Sequence, residues 1–252
     1  MTLQTGIENG RRSEPGDSQP VRVYGPESLV RNESGVATGL SVAFHSIDFV
    51  LPMRKVGTDA QPAYIAWLDV NHDMHPLLAK QAVRDLAPRI ARLNPSVVVA
   101  PHSNKSTWMT ERATREASHL LSRHVLFINL LGDDKIDRLM EQQPYHYLPY
   151  HNVTSPEAAK FMGIRREDVK ALKAHIQDGG QIAIADDVYS TGGTMDAMQS
   201  LLHETLSLPH DYAIPAAVLA AESTYGPGYP VQTPEYVHPL IHMPVFVGKI
   251  PG

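Results

Sequence analysis

The sequence predicts a doubly wound α/β fold, a mostly parallel sheet flanked by helices. Three observations lead there. Short, wholly apolar runs recur, such as Val97-Val98-Val99 and Ile182-Ala183-Ile184-Ala185. Segments with helical spacing stand between them, and Gly-, Pro- and Asp-containing turns separate the two kinds. Strands buried on both faces and joined by helices are the pattern of a parallel sheet.

Taken in order, residues 1–20 are rich in Gly, Ser, Asn and charge, have almost nothing to bury and are expected to form a disordered tail. Residues 21–40 are mixed and give no clear period. Residues 41–52 and 63–70 are β-branched and aromatic, bounded by Pro and Gly, and read as a hairpin-like pair of strands. Over 75–93, Leu78, Val83, Leu86, Ile90 and Leu93 fall at helical spacing, with Asp73 as candidate cap and Pro76 in the first turn. Pro88 predicts a kink there, or a break into two pieces. A buried strand at 96–100, a helix at 107–122 and a strand at 124–130 follow. Residues 132–163 carry Pro, Tyr and His without a sustained period. A helix at 165–177 is stopped by Gly179-Gly180. A strand at 181–185, a loop at 186–193, a helix at 194–206 and a strand at 213–221 complete the alternation.

Composition narrows the function classes. With 252 residues, 42% hydrophobic and 19% charged, the chain has the balance of an ordinary globular protein and the length to bury a large core. It has no cysteine, which excludes disulfide frameworks, thiolate metal sites, iron–sulfur clusters and cysteine nucleophiles. A formal net charge of −5 disfavours a general nucleic-acid-binding surface. No apolar run reaches the ~18–20 residues of a membrane span, and the first residues lack a signal-peptide pattern. The expectation is a cytoplasmic protein whose partners include neither nucleic acid nor membrane. Gly-x-Gly-x-x-Gly after a strand, the Walker loop and the Gly-x-Ser-x-Gly elbow are all missing, which disfavours dinucleotide, Walker-type and α/β-hydrolase sites. His72-Asp73-x-His75 has metal-like spacing, but the same residues sit where a helix is capped, and capping is the favoured reading.

In open α/β sheets ligands bind beyond the carboxyl ends of the strands. At the end of the 181–185 strand stands Asp186-Asp187-Val188-Tyr189-Ser190-Thr191-Gly192-Gly193-Thr194. Two adjacent carboxylates close a buried strand, and a hydroxyl- and glycine-rich turn leads straight into a helix N-terminus. Glycines permit positive φ and close backbone approach, and successive N–H groups with a helix dipole bind phosphate. The acids cannot serve that anion. They suit sugar hydroxyls, or a hydrated Mg²⁺ held partly by the ligand. A phosphate with a diol beside it is a ribose 5-phosphate.

The stretch Ile182 to Thr194 resembles the phosphoribosyl-pyrophosphate (PRPP) motif of type I phosphoribosyltransferases, in which Asp186, Asp187, Thr191, Gly192, Gly193 and Thr194 match the core pattern. Ala183 and Tyr189 depart from it, at positions that touch packing. The resemblance runs more weakly from about residue 41 to the C-terminus. Residues 150–155, 167–169 and 238–246 are similar to segments of the adenine- and xanthine-type branches.

The resemblance implies a single domain over 21–252, with a core of about 75–221 and a small hood built from N- and C-terminal segments, about 41–70 and 222–252. It implies Asp186 and Asp187 as the catalytic pair, holding the ribose hydroxyls and meeting Mg²⁺ through water. It assigns the 5′-phosphate to Ser190, Thr191, Gly192, Gly193 and Thr194. Ser103, Asn104, Lys105 and Ser106 would grip the pyrophosphate, the alternative being a solvated loop with a surface lysine. Thr107 and Ser106 can also cap the helix that starts there. The implied reaction transfers ribose 5-phosphate from PRPP to a nitrogen of a purine-type base in a homodimeric enzyme. The hypoxanthine-guanine branch has an acid where Ser190 stands, so adenine-like, xanthine-like or unusual acceptors are expected.

One departure bears on catalysis. Where the family usually shows a basic pair that contacts pyrophosphate, this chain has Asp133-Asp134, with Lys135 or Arg138 as substitutes. That leaves open a second reading, a non-catalytic sensor of PRPP or nucleotides.

Overall fold

The computed structural model describes residues 21–45, 47–57, 62–152, 155–209, 211–225 and 233–250; the tail expected over 1–20 lies outside them. In chain order the elements begin with β1 (Arg22–Val23), β2 (Leu29–Arg31), β3 (Ala37–Phe44), β4 (Ile47–Gly57), β5 (Pro62–Ala66) and α1 (Pro76–Arg92). Then come β6 (Val97–Ala100), α2 (Thr107–Leu120), β7 (Leu126–Asn129), β8 (Leu131–Asp133), α3 (Ile136–Glu141), β9 (His146–Asn152) and β10 (Ser155–Ile164). The series ends with α4 (Arg166–Gln177), β11 (Ile182–Tyr189), α5 (Gly193–Leu206), β12 (Ala216–Tyr225) and β13 (Val237–Val247).

Nine strands lie in the order β2-β3-β4-β5-β13-β12-β11-β6-β7, and β1 adds to β13 as the tenth of the sheet. From β13 to β7 every pairing is parallel, as the apolar runs predict. The sheet separates two layers of core, and β6 shows how. Val97, Val98 and Val99 are fully buried; Val98 packs with Leu86 and Ile90 of α1 and Met109 of α2. Val97 and Val99 turn the other way, towards Leu172 of α4 and Met198 and Leu201 of α5. Alternation along one strand thus places helices on both faces.

The segments expected as a hood go elsewhere. β4 pairs with β5, and β5 runs antiparallel to β13 with Ile65 opposite Val245, so the strands of both segments belong to the main sheet. The reason is burial: Leu40, Val42, Phe44, Ile241 and Phe246 are buried, and a strand with that much apolar surface is satisfied inside a sheet. What overhangs the ligand edge is a second, antiparallel sheet, β8-β10-β9, from the stretch with no readable period.

Two local details follow. α1 is not broken into two pieces at Pro88, which lies on the exposed face with Arg84, so the carbonyl deprived of its donor faces water. Asp73 does not cap α1; Asn71 Oδ1 accepts the N–H groups of Asp73 at 2.9 Å and Met74 at 3.3 Å and so builds the turn.

Candidate active site

Because β12, β11 and β6 are parallel neighbours, their carboxyl ends open on one edge of the sheet. There a cavity of about 550 Å³ is lined by Ser103, Asn104, Lys105, Asp186, Asp187, Ser190, Thr191, Gly192, Gly193 and Thr194. Residues some eighty positions apart therefore face one space. Ser106 is the exception. It is fully buried behind the loop, where its hydroxyl acts on the Asp186 carboxyl and helps to hold its charge.

The acids belong to β11 itself, which continues four residues beyond the predicted end at Ala185, with Asp186 paired to Val218 of β12. Asp186 is 5% exposed. Its Oδ1 accepts the Asp187 N–H at 2.8 Å, and Asp187 Oδ1 accepts the Val188 N–H at 2.9 Å. Burial pushes the Asp186 carboxyl well above the usual carboxylate range, and the Asp187 charge beside it pushes the same way. Burial raises Asp187 too, against the hydrogen bonds from Asp186 and Val188 and the Lys105 charge. Such a pair, reluctant to carry two negative charges alone, gains from a cation or hydroxyl donors brought in by a ligand.

After β11 the chain turns through Ser190 and Thr191 to Gly192, which has φ +89° and starts α5. The left-handed backbone there calls for glycine, and a Cβ would stand close to Tyr189 Oη, at 3.0 Å, and Asp196 Oδ2, at 3.3 Å. No side chain caps α5, and the N–H groups of its first turn are left for whatever enters the cavity. The Ser190 hydroxyl is engaged elsewhere: it donates to the carboxylate of Glu222.

Across the cavity, Ser103 Oγ accepts the N–H groups of Lys105 at 3.1 Å and Ser106 at 3.3 Å, while Thr107 Oγ1 accepts the Ser103 N–H at 3.1 Å. Ser103 and Thr107, rather than Ser106, thus organise the start of α2. The Lys105 ammonium stands 3.7 Å from the Trp67 ring centroid, and the Arg54 guanidinium 4.3 Å from the same ring. Burial lowers the Lys105 pKa, while Asp69 and Asp187 hold it up. The overhanging sheet adds Asp133, Tyr150 and Lys160 to the wall, and the passage from β8 into α3 adds Asp134 and Arg138. Of the two substitutes for the basic pair, Arg138 lines the cavity, 4.0 Å from Asp134, and Lys135 does not.

Sequence reasoning missed Glu222, Lys160 and Trp67. Glu222 lies within β12, paired with Met243 of β13 and level with the end of β11, an acid after an alanine-rich run, and that signal was present. Burial pushes its carboxyl up to about 7, against the Ser190 hydrogen bond and with the help of the Asp187 charge.

Solved adenine phosphoribosyltransferases are similar to the chain. The Giardia lamblia enzyme, complexed with 9-deazaadenine, matches at 14% identity over 75% of this chain and 93% of that one, with a TM-score of 0.47. The Rhodothermus marinus enzyme matches at 20% identity over 75% and 93%, with a TM-score of 0.42. The Trypanosoma brucei enzyme, complexed with AMP, pyrophosphate and ribose-5-phosphate, matches at 16% identity over 59% and 54%, with a TM-score of 0.39. No family model matches the sequence, and comparison with curated proteins gives no match.

Among the described residues no group of three or more His, Asp or Glu is placed to hold a metal ion, which includes His72 and His75. Asp186 and Asp187 supply two carboxylates at most. A Mg²⁺ ion fits beside them as one that takes most of its ligands from a bound substrate and water. Among the same residues no helix is long and apolar enough to cross a membrane.

Proposed function

We propose that the chain is a phosphoribosyltransferase that moves ribose 5-phosphate from PRPP to a nitrogen of a purine-type base, adenine-like or xanthine-like, and releases pyrophosphate. The observation that carries this is a single cavity with an anion-binding turn at Thr191–Thr194, an acid pair in the middle and the Ser103–Lys105 loop on the far side. PRPP has the same order of groups: phosphate, ribose diol, pyrophosphate. The motif resemblance of residues 182–194 supports the same reading, and extends it to a cytoplasmic homodimer working in purine salvage.

In this reading the turn fixes the 5′-phosphate through backbone N–H groups and the dipole of α5. Asp186 and Asp187 accept the ribose hydroxyls and face the positive charge that develops at C1′. Lys105 balances the leaving pyrophosphate, with Arg138 and Lys160 on the overhanging wall. The nitrogen–C1′ bond forms as the C1′–oxygen bond breaks; pyrophosphate takes the electron pair, and the nitrogen's proton passes to solvent. A Mg²⁺ ion, when bound with PRPP, supplies further neutralisation of the pyrophosphate. Positioning and charge do the catalysis.

The acids Asp133 and Asp134 in the cavity wall favour a second reading, a PRPP sensor without turnover. One experiment separates the two. Incubation with PRPP, Mg²⁺ and a panel of bases is read by the mass of the nucleotide product and by pyrophosphate release. Product with any base establishes the enzyme. PRPP binding without product leaves the sensor, and no PRPP binding overturns both.

A further inference from the structure

Lys105 faces two acids that it does not meet. The charges of Asp69 and Asp187 both act on it, yet neither carboxylate comes within 4.0 Å of its ammonium. In a half-buried site an ion pair strengthens as water is excluded, so a lysine free to move would close on one of them. Closure on Asp187 would neutralise both the cation that serves pyrophosphate and an acid that serves the ribose. What the ammonium rests on instead is the indole of Trp67, 3.7 Å away at the ring centroid.

Trp67 is itself held in place at the cavity wall. It follows β5 directly, and its N–H donates to the Pro52 carbonyl of β4 at 2.9 Å. The Arg54 guanidinium, 4.3 Å from the same centroid, is a second cation on the ring. The segment after Trp67 is tied to the Lys105 loop at two further points. Asn71 Nδ2 donates to the Asn104 carbonyl at 3.2 Å, and the His72 ring stacks on Trp108 of α2 with centroids 4.0 Å apart. Ring and loop are thus fastened together, and the ammonium has one fixed face to rest on.

We infer that Trp67 is a positioning residue for Lys105, keeping its ammonium clear of the acids and available to the pyrophosphate group of the ligand. This rests on the proposed transferase reading, in which Lys105 meets that group. The ring attracts through a quadrupole only, so pyrophosphate, with full charges, draws the ammonium across and no ion pair has to break first.

The test is calorimetry of the full chain with PRPP and with inorganic pyrophosphate, each with Mg²⁺. Trp67→Leu should weaken both at least fivefold, while Trp67→Phe, which keeps an aromatic face, should stay within twofold of the wild type. On a Lys105→Ala background Trp67→Leu should shift neither affinity by more than twofold, because its effect passes through the lysine. Loss of packing alone would weaken binding by the same factor with or without Lys105. The chain has two tryptophans, so if the Leu variant does not fold, Trp108→Phe leaves Trp67 as sole reporter. Its emission should change at saturating pyrophosphate, when the ammonium leaves the ring. Full affinity in Trp67→Leu, equal loss in the Leu and Phe variants, an effect that persists without Lys105, or emission unchanged at saturation overturns the assignment to Trp67 and leaves the transferase reading intact. Failure of the wild type to bind both PRPP and pyrophosphate overturns both.

Discussion

The Lys105 ammonium rests 3.7 Å from the centroid of the Trp67 ring, half-buried at the mouth of the cavity. An indole face holds a cation without hydrogen-bonding it, so the three ammonium protons remain free for an anion. Lys105→Ala should therefore weaken PRPP and pyrophosphate binding at least tenfold while a nucleoside monophosphate binds almost as before. Calorimetry with the three ligands reads this directly. Equal weakening of all three would show a structural role, and no weakening would return Lys105 to the surface.

The acid pair gives a second prediction. Asp186→Asn combined with Asp187→Asn removes charge without changing volume, so turnover should fall by at least 10³-fold with the fold retained. Circular dichroism and thermal unfolding check the fold, and product formation from PRPP checks the rate. A double variant at wild-type rate would move the chemistry elsewhere.

Gly192 is the most demanding backbone position of the site, with φ +89° and a Tyr189 oxygen 3.0 Å from where a Cβ would stand. Gly192→Val should destabilise the protein by about 1–3 kcal/mol and weaken PRPP at least tenfold. Denaturant unfolding and calorimetry measure the two effects. Unchanged PRPP affinity in the folded variant would remove the turn from the site.

Glu222 makes stability depend on pH in a stated direction. Its folded pKa is raised from 4.5 to about 7, so between those values the folded state keeps a proton that the unfolded state gives up. Stability is then lost as pH rises from about 4.5 to 7, and the penalty stays constant above that. The shift corresponds to roughly 2–3 kcal/mol between pH 5 and pH 8. Glu222→Gln should remove that slope, so its stability relative to wild type should be higher at pH 8 than at pH 5. Urea unfolding at the two pH values tests it, and an equal difference at both would show an exposed, ordinary carboxylate.

What the sequence made legible is what lies close together along the chain. Asp186 to Thr194 form one strand–turn–helix passage, and a local passage carries its own geometry in residue types. The parallel half of the sheet was readable because Val97–Val99 and Ile182–Ala185 are buried on both faces. The overhanging sheet was not, since β9 carries Pro149 among Tyr and His residues, so its alternation of half-buried and exposed positions does not show as an alternation of apolar and polar residues. Which hydroxyl organises α2 depends on which one turns inward, and spacing alone does not separate Ser103 from Ser106. Glu222 was passed over because the predicted strand stopped one residue short of it.

β13, late in the chain, lies in the middle of the sheet, with β5 on one side and β12 on the other. On the ribosome, the antiparallel wing and the parallel half are therefore complete before the strand that joins them has emerged. Until then each presents a bare edge, of β5 and of β12, open to pairing with another nascent chain. A chain cut before Val237 would keep both edges exposed. Its failure would be aggregation during synthesis, with most of the ligand-facing residues already made.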